Sequence, residues 1–360
     1  MAFRYPVLYD LSLRIKRFCM GPYQGDAVRI MLRGVKCKMS FKKSTMLPVF
    51  FLLLVAFSPL HAENTLLSRT QVLMGTYCMI SLEESRSAEI EKGFDHLKKL
   101  EGILSSYQKD ASVYRLNRDK EVAFDPMLSK ILQLSKTYYR QTEGYFDITI
   151  GSITKKLYRF GEEEQIPTER EKAQAATGIE HITIDADTIR LGEGITIDLG
   201  GIGKGFAVDE LSCYYASMGI TEGEIALSGD IRCLGRCRVE IQDPFAEERT
   251  MATLYAKAPN LSVSTSGTYR RFVKEKKEHH LIDPKRKTQG RAFVSVTIVA
   301  YDDNTLCDAM ATAISVMPLD TALEFVRSQS RFGYLLVTSD GKVISGNLHL
   351  FVEIEGKMLQ

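Results

Sequence analysis

The spacing of apolar residues along this chain changes period several times, and each change marks an element. Residues 70–82 predict one long strand, with a turn-like Met74-Gly75-Thr76 inside it. Ile90, Phe94, Leu97 and Leu104 then fall on one helical stripe. Asp125-Pro126 predicts the start of a second helix, with Asp as N-cap and Pro at the first helical position. Leu128, Ile131, Leu132 and Ser135 continue it in period, and Glu143-Gly144 ends it. Short β-rich runs cover residues 181–184, 188–191 and 195–198, and a third helix runs from Gly203 to Gly219. Further strands are predicted at 224–227, 238–242, 250–256, 261–264, 294–300, 334–338, 342–345 and 349–354, with helices at 306–316 and 319–328. No repeat and no long linker interrupts this series. The irregular alternation predicts an α+β fold, mostly antiparallel sheet with packed helices, in a single large body of at most two subdomains.

The N-terminal region follows a different pattern. Lys42 and Lys43 precede an uncharged apolar run, residues 46–57, and Leu60-His61-Ala62 ends on a small residue. That is a secretory signal layout, and the run is short for a membrane span of ~20 residues. The expected organisation is a signal peptide at 39–62, an over-extended start at 1–38 and a mature body at 63–360. No Cys follows the apolar run, so a lipoprotein anchor lacks its attachment residue and a soluble enzyme is expected.

Charge supports the division. The chain is nearly neutral at +2 overall, but residues 1–62 carry +8 and residues 63–360 carry −6. An acidic body argues against sequence-independent nucleic-acid binding, which needs surplus Lys and Arg against phosphates. With 44% hydrophobic and 26% charged residues the chain has a globular rather than disordered composition. It holds five cysteines, of which Cys233 and Cys237 are close enough to pair in an oxidising compartment. Cys-x3-Cys without nearby partners is a poor zinc site.

Chemistry concentrates in a few segments. In residues 197–209 a predicted strand ends at Asp198, four glycines (Gly200, Gly201, Gly203 and Gly205) crowd a turn, and a helix begins beside Lys204. Backbone N–H groups at such a helix start, with a lysine, suit a phosphate. The segment matches neither the Walker A nor the dinucleotide-binding glycine pattern. Asp308 and Thr312 are four residues apart on a predicted helix, so both oxygens share one face and suit Mg²⁺. A hydroxyl-rich turn at 262–269 precedes His279-His280, either of which can serve as an acid or base. Ser228-Gly229-Asp230 and residues 144–149 are further Gly-Asp clusters.

Taken in order, these pieces closely resemble the ApbE family, the FAD:protein FMN transferases. The matching segments are Met74-Gly-Thr76, Leu104-Ser-Ser-Tyr107 with Leu116-Asn117, Gly144-Tyr-Phe-Asp-Ile-Thr149 and Asp198-Leu-Gly-Gly-Ile-Gly-Lys-Gly205. Ser228-Gly-Asp230, Ser264-Thr-Ser-Gly267, His280-Leu-Ile-Asp-Pro284 and Asp308-Ala-Met-Ala-Thr312 complete the set. The resemblance implies a T-fold-like architecture, export to the bacterial periplasm or the outer face of the inner membrane, and FAD as substrate with Mg²⁺. The implied reaction cleaves FAD, attaches FMN by a phosphoester bond to a Thr of an acceptor protein and releases AMP. The expected acceptor is a membrane redox-complex subunit. It also implies that Met74, Tyr107, Tyr145, Phe146, Asp147, Asp198, Lys204 and Ile282 contact FAD. Gly201, Asp308 and Thr312 would hold Mg²⁺, and His280 would assist transfer. Two departures stand out. Ser228 replaces the usual first glycine of Gly-Gly-Asp, and the step after Asp283-Pro284 is lengthened to Lys-Arg-Lys-Thr-Gln-Gly290. The same residues without an acceptor would make a Mg²⁺-dependent FAD pyrophosphatase or a non-catalytic FAD-binding protein.

Overall fold

The computed structural model describes residues 66–246, 248–269, 272–275 and 277–356. The expected signal peptide and over-extended start lie outside these residues.

The first strand prediction resolves into a hairpin of β1 (Leu66–Leu73) and β2 (Thr76–Glu83), paired antiparallel from Leu66↔Glu83 to Leu73↔Thr76. The turn residues Met74 and Gly75 both have positive φ, 53° and 71°. That suits the tight turns that join twisted strands, and a methionine in a place favouring Asn or Gly is what made the segment read as continuous. Helix α1 (Ser87–Leu104) follows, with Ile90, Phe94, Leu97 and Leu104 all buried. Next come α2 (Ser112–Asp119), β3 (Glu121–Ala123) and α3 (Pro126–Gln141). Asp125 caps α3 as expected, its side chain accepting the Leu128 N–H at 2.8 Å. Short helices α4 (Gly151–Thr154) and α5 (Glu169–Gln174) lead to β4 (Ile182–Ile184) and β5 (Thr188–Leu191). Strands β3, β5 and β4 form a small sheet.

The second half supplies α6 (Gly203–Ser217), β6 (Glu224–Leu227), β7 (Asp230–Cys233), β8 (Arg238–Gln242), β9 (Thr250–Ala256) and β10 (Leu261–Gly267). It continues with β11 (Ile282–Asp283), β12 (Thr288–Gln289), β13 (Phe293–Tyr301), α7 (Asn304–Val316) and α8 (Leu319–Arg327). Strands β14 (Gly333–Thr338), β15 (Val343–Gly346) and β16 (Val352–Gly356) close the chain. The main sheet is antiparallel and eight-stranded, ordered β1-β2-β6-β7-β10-β13-β14-β15.

Strand periodicity feeds two cores. On β13, Val296, Ile298 and Ala300 join the core shared with α1, α3, α6 and α7, whereas Val299 enters a second core with β8, β9 and β16. A satellite cluster of Ile153, Tyr158, Phe160, Val273 and Ile282 lies apart from both. Cys233 and Cys237 are paired as a disulfide, with Cα atoms 5.7 Å apart.

Two expectations change. Residues 195–198 are extended but belong to no strand; side chains replace the ladder. The Asn117 amide donates to Ile197 O at 2.9 Å and accepts the Ile197 N–H at 2.8 Å. Ser152 Oγ accepts the Thr196 N–H at 2.9 Å, and Ile148 O accepts the Asp198 N–H at 2.7 Å. The strand expected at 261–264 runs on to Gly267 as β10, so most of the hydroxyl-rich turn expected at 262–269 is strand, with Ser262 and Ser264 buried.

Candidate functional site

The glycine turn and α6 meet α7 at close range. A Cβ added at Gly201 would lie 2.8 Å from Thr312 Oγ1, and one at Gly205 would lie 2.3 Å from Asn304 O and 2.7 Å from Asp308 Cβ. Only glycine lets the two backbones approach this far. Gly201, Asp308 and Thr312 are therefore brought together, as the resemblance implied.

The helix start itself behaves differently from the phosphate reading. The Gly203 N–H donates to Leu199 O at 2.7 Å, and the Gly205 N–H donates to Asp308 Oδ2 at 3.0 Å. These two donors are already engaged within the protein. Lys204 is engaged as well: its ammonium pairs with Asp230 and lies 3.6 Å from Asp308 Oδ2. Burial works against that ammonium, yet the two carboxylates outweigh it and hold its pKa above the ordinary lysine value. Lys204 neutralises protein carboxylates here.

Asp308 is 2% exposed, and burial, reinforced by Asp230 and eased by Lys204, pushes its carboxyl up to about 7. Asp230 is buried too and accepts Ser264 Oγ–H at 2.6 Å. Two buried carboxylates share a single ammonium, which leaves one negative charge to compensate. Oxygens of Asp308, Thr312 and the Gly201 carbonyl are hard donors, and this set fits Mg²⁺, which takes few protein ligands and shares the rest with phosphates. Among the described residues no group of three His, Cys, Asp or Glu forms a metal cluster.

Asp198, 18% exposed, stands at the other side of the turn. It accepts the Thr154 hydroxyl at 2.7 Å and the Gly200 N–H at 3.0 Å, with Lys155 Nζ 3.8 Å away. The same Lys155 ammonium sits 3.7 Å above the Tyr107 ring, whose hydroxyl donates to Phe160 O at 2.9 Å. Lys155 thus links two expected FAD contacts, although the sequence reading assigned it no role. Tyr145 is half-buried under Lys285, 3.9 Å from the ring centre, and the Met74 N–H donates to Glu101 at 2.7 Å.

Three expected side-chain contacts are corrected by burial. The Phe146 ring is 2% exposed and packs edge-on against Tyr138 in the core. Ile282 is 5% exposed within the satellite cluster. Asp147 is buried, accepts both the N–H and the hydroxyl of Thr149, and is held above the usual carboxylate range by desolvation. The Phe146 and Ile282 side chains are packed in hydrophobic clusters, and the Asp147 carboxylate is taken up by Thr149.

The two histidines separate clearly. His279 is 5% exposed, its Nε2 lies 2.9 Å from Gly290 O, and burial lowers its pKa. His280 is half-buried and reaches the surface. Of the pair, His280 is the one a substrate hydroxyl can approach.

A buried network behind the site had no counterpart in the sequence reading. Asp209 on α6 pairs with Arg232 and accepts the N–H groups of Asn304 and Thr305 at 2.9 and 2.8 Å, the first residues of α7. Arg232 also donates to Asn304 Oδ1 at 2.9 Å and Ser212 Oγ at 3.2 Å. Each helix therefore supplies a carboxylate to the other's N-terminal turn. Asp209 lies four residues beyond Gly205 on one helical face, the only local hint of this role. Ser228 sits at φ 57°, left-handed backbone where the family's usual glycine is at home.

The ApbE family model matches residues 74–336. This chain belongs to the ApbE family. Among ApbE relatives, a Vibrio cholerae protein named FAD:protein FMN transferase is 30% identical over 242 residues, covering 61% of this chain and 71% of its own length. An Escherichia coli protein of the same name is 28% identical over 294 residues, 74% of this chain and 83% of that one. The ApbE protein of Thermotoga maritima superposes with a TM-score of 0.72 at 23% identity, covering 80% of this chain and all of that structure. The Vibrio cholerae flavin transferase ApbE gives 0.68 at 24%, over 80% of this chain and 99% of that one.

Proposed function

We propose that this chain is a Mg²⁺-dependent FAD:protein FMN transferase that joins FMN to a Thr hydroxyl of an acceptor protein and releases AMP. The observation that carries this reading is the convergence of Gly201, Asp308 and Thr312 beside the Lys204–Asp230 pair, within the segment matched to the family. Asp308, Thr312 and the Gly201 carbonyl would hold Mg²⁺, which supplies charge neutralisation at the pyrophosphate. Tyr107, Lys155 and Asp198 line the path for the dinucleotide. In the reaction the Thr oxygen bonds to the FMN phosphorus, the bridging P–O bond breaks, and its electrons leave with AMP. His280 takes the Thr proton.

Export is part of the same proposal. The signal layout and the Cys233–Cys237 pair both favour an oxidising, extracytoplasmic setting. The acceptor class is a membrane-bound flavin subunit.

The test is an incubation with FAD, Mg²⁺ and a Thr-bearing acceptor domain, read by intact mass. Transfer adds one FMN to the acceptor and needs Mg²⁺. Free FMN without acceptor labelling would instead establish a pyrophosphatase, and unaltered FAD a binding protein.

A further inference from the structure

His280 lies at the join of two short hairpins. The first closes through the Phe272↔His279 bridge and the Val273 N–H to Glu278 O at 3.0 Å. The second is β11–β12, closed by the Gly290 N–H to Leu281 O at 3.1 Å. Buried Tyr158 ties them together, donating to Glu278 at 2.9 Å and accepting from Gln289 at 2.8 Å. The turns that flank His280 are thus fixed relative to one another.

Both turns are basic. Among the described residues of 272–291, Lys274, Lys277, Lys285, Arg286, Lys287 and Arg291 stand against Glu275, Glu278 and Asp283, a local net of +3 on a body that is −6 over residues 63–360. We propose that this strip is a docking surface for an acidic segment of the acceptor protein, placed so that the bound acceptor presents its Thr to His280. The inference rests on the transferase reading above and adds the chemistry by which the protein substrate is chosen.

Side-chain exposure separates this strip from the interior of the site. Lys155, beside Tyr107 and Asp198, and Lys204, paired with Asp230, are 12% and 30% exposed, whereas Lys277 and Arg286 are 65% and 68% exposed. Their carboxylate neighbours are weak competitors: Glu275 is itself 62% exposed, and Asp283 lies 3.9 Å from Arg286. Lys285 and Lys287 are committed elsewhere, to the Tyr145 ring and to the carbonyls of Ala173 and Ala175. Between the first turn and the main sheet lies a cleft of about 210 Å³ lined by Lys277, His279, Arg291, Thr268 and Ser339. Two cations and two hydroxyls in a concavity suit an Asp or Glu side chain, and a flat bilayer cannot enter it. Within a Debye length of ~8–10 Å the local charge dominates the acidic remainder, so the strip acts on close encounter and orientation.

The test uses an acceptor domain that the full-length enzyme labels, with the doubly reversed enzyme Lys277→Glu/Arg286→Glu. The expected result at low salt is an acceptor KM raised about tenfold or more with the FAD dissociation constant within about twofold. The difference should shrink as salt rises. Reversing acidic residues beside the acceptor Thr to Lys should restore the reversed enzyme and impair the wild type. An unchanged acceptor KM overturns the proposal. So does a parallel loss of FAD affinity, or a loss confined to binding of anionic phosphatidylserine vesicles. A wild-type enzyme that binds FAD but labels no acceptor would overturn the transferase reading, and the docking surface with it.

Discussion

The Asp308 carboxylate accepts the backbone N–H of Gly205 at 3.0 Å, across the contact between α7 and α6. One residue therefore caps a helix and, in the function proposed above, would also offer Mg²⁺ its carboxylate. The two roles separate by substitution. Asp308→Asn keeps an acceptor for Gly205 and should preserve the fold, while Asp308→Ala should lower stability by about 1–3 kcal/mol by stranding a buried donor. Both should lose Mg²⁺-dependent turnover. Thermal melts beside a Mg²⁺ titration of FMN transfer check this, and full activity in Asp308→Asn would remove the carboxylate from the metal site.

The Asp209–Arg232 pair gives a second prediction. Arg232 is 3% exposed, and Asp209 also receives the first N–H groups of α7. Asp209→Ala should cost about 3–5 kcal/mol, since it strands the first N–H groups of α7 and leaves a buried guanidinium with only the more exposed Asp302, 4.0 Å away. Joint replacement, Asp209→Asn with Arg232→Met, should recover part of that loss. Chemical denaturation of the four proteins in the cycle measures the coupling.

Much of this architecture was legible locally. The stripe of Ile90, Phe94, Leu97 and Leu104 and the Asp125-Pro126 cap each contain their own evidence, because helix period and capping are settled within a few residues. Residues 195–198 alternate like a strand, but Asn117 and Ser152, distant in sequence, do the work of a neighbouring strand. At the α6 start the Gly205 N–H is likewise taken by a carboxylate more than a hundred residues away, which no local pattern announces. Phe146 and Ile282 show a different limit. Membership in a motif does not say whether a side chain faces the ligand or the core, and both face the core.

For the histidines, His280→Ala should abolish FMN transfer while leaving FAD affinity within about twofold, as expected for a proton acceptor. His279→Ala should act on stability, by about 1–3 kcal/mol, because it empties a buried position hydrogen-bonded to Gly290. Parallel melting, FAD titration and transfer assays distinguish them. Loss of transfer without loss of stability in His279→Ala would exchange the two roles.

Acid stability should carry a signature of Asp303, which caps α7 through the Leu306 N–H at 2.9 Å. Burial, with Asp209 close by, raises its carboxyl from 3.8 to about 6. The folded state therefore favours the protonated form. That contribution is complete below about pH 4 and is lost as pH rises through about 6. Asp303→Asn keeps a cap but cannot titrate. The melting temperature of wild type relative to Asp303→Asn should fall between pH 4 and pH 7, and a flat difference would contradict the assignment.

The disulfide predicts a thiol count. Residues 63–360 should show three reactive thiols after unfolding without reductant, from Cys78, Cys213 and Cys307, and five after reduction. Replacing Cys233 and Cys237 by Ser should cost about 2 kcal/mol, the entropy of so short a loop. Five thiols without reductant would show the pair to be open.

The exchanged caps between α6 and α7 have a mechanical consequence. Neither helix can rotate or slide against its neighbour without uncovering N–H groups at both ends of the contact. The wall that carries Gly201, Asp308 and Thr312 is thereby locked in register before any ligand arrives.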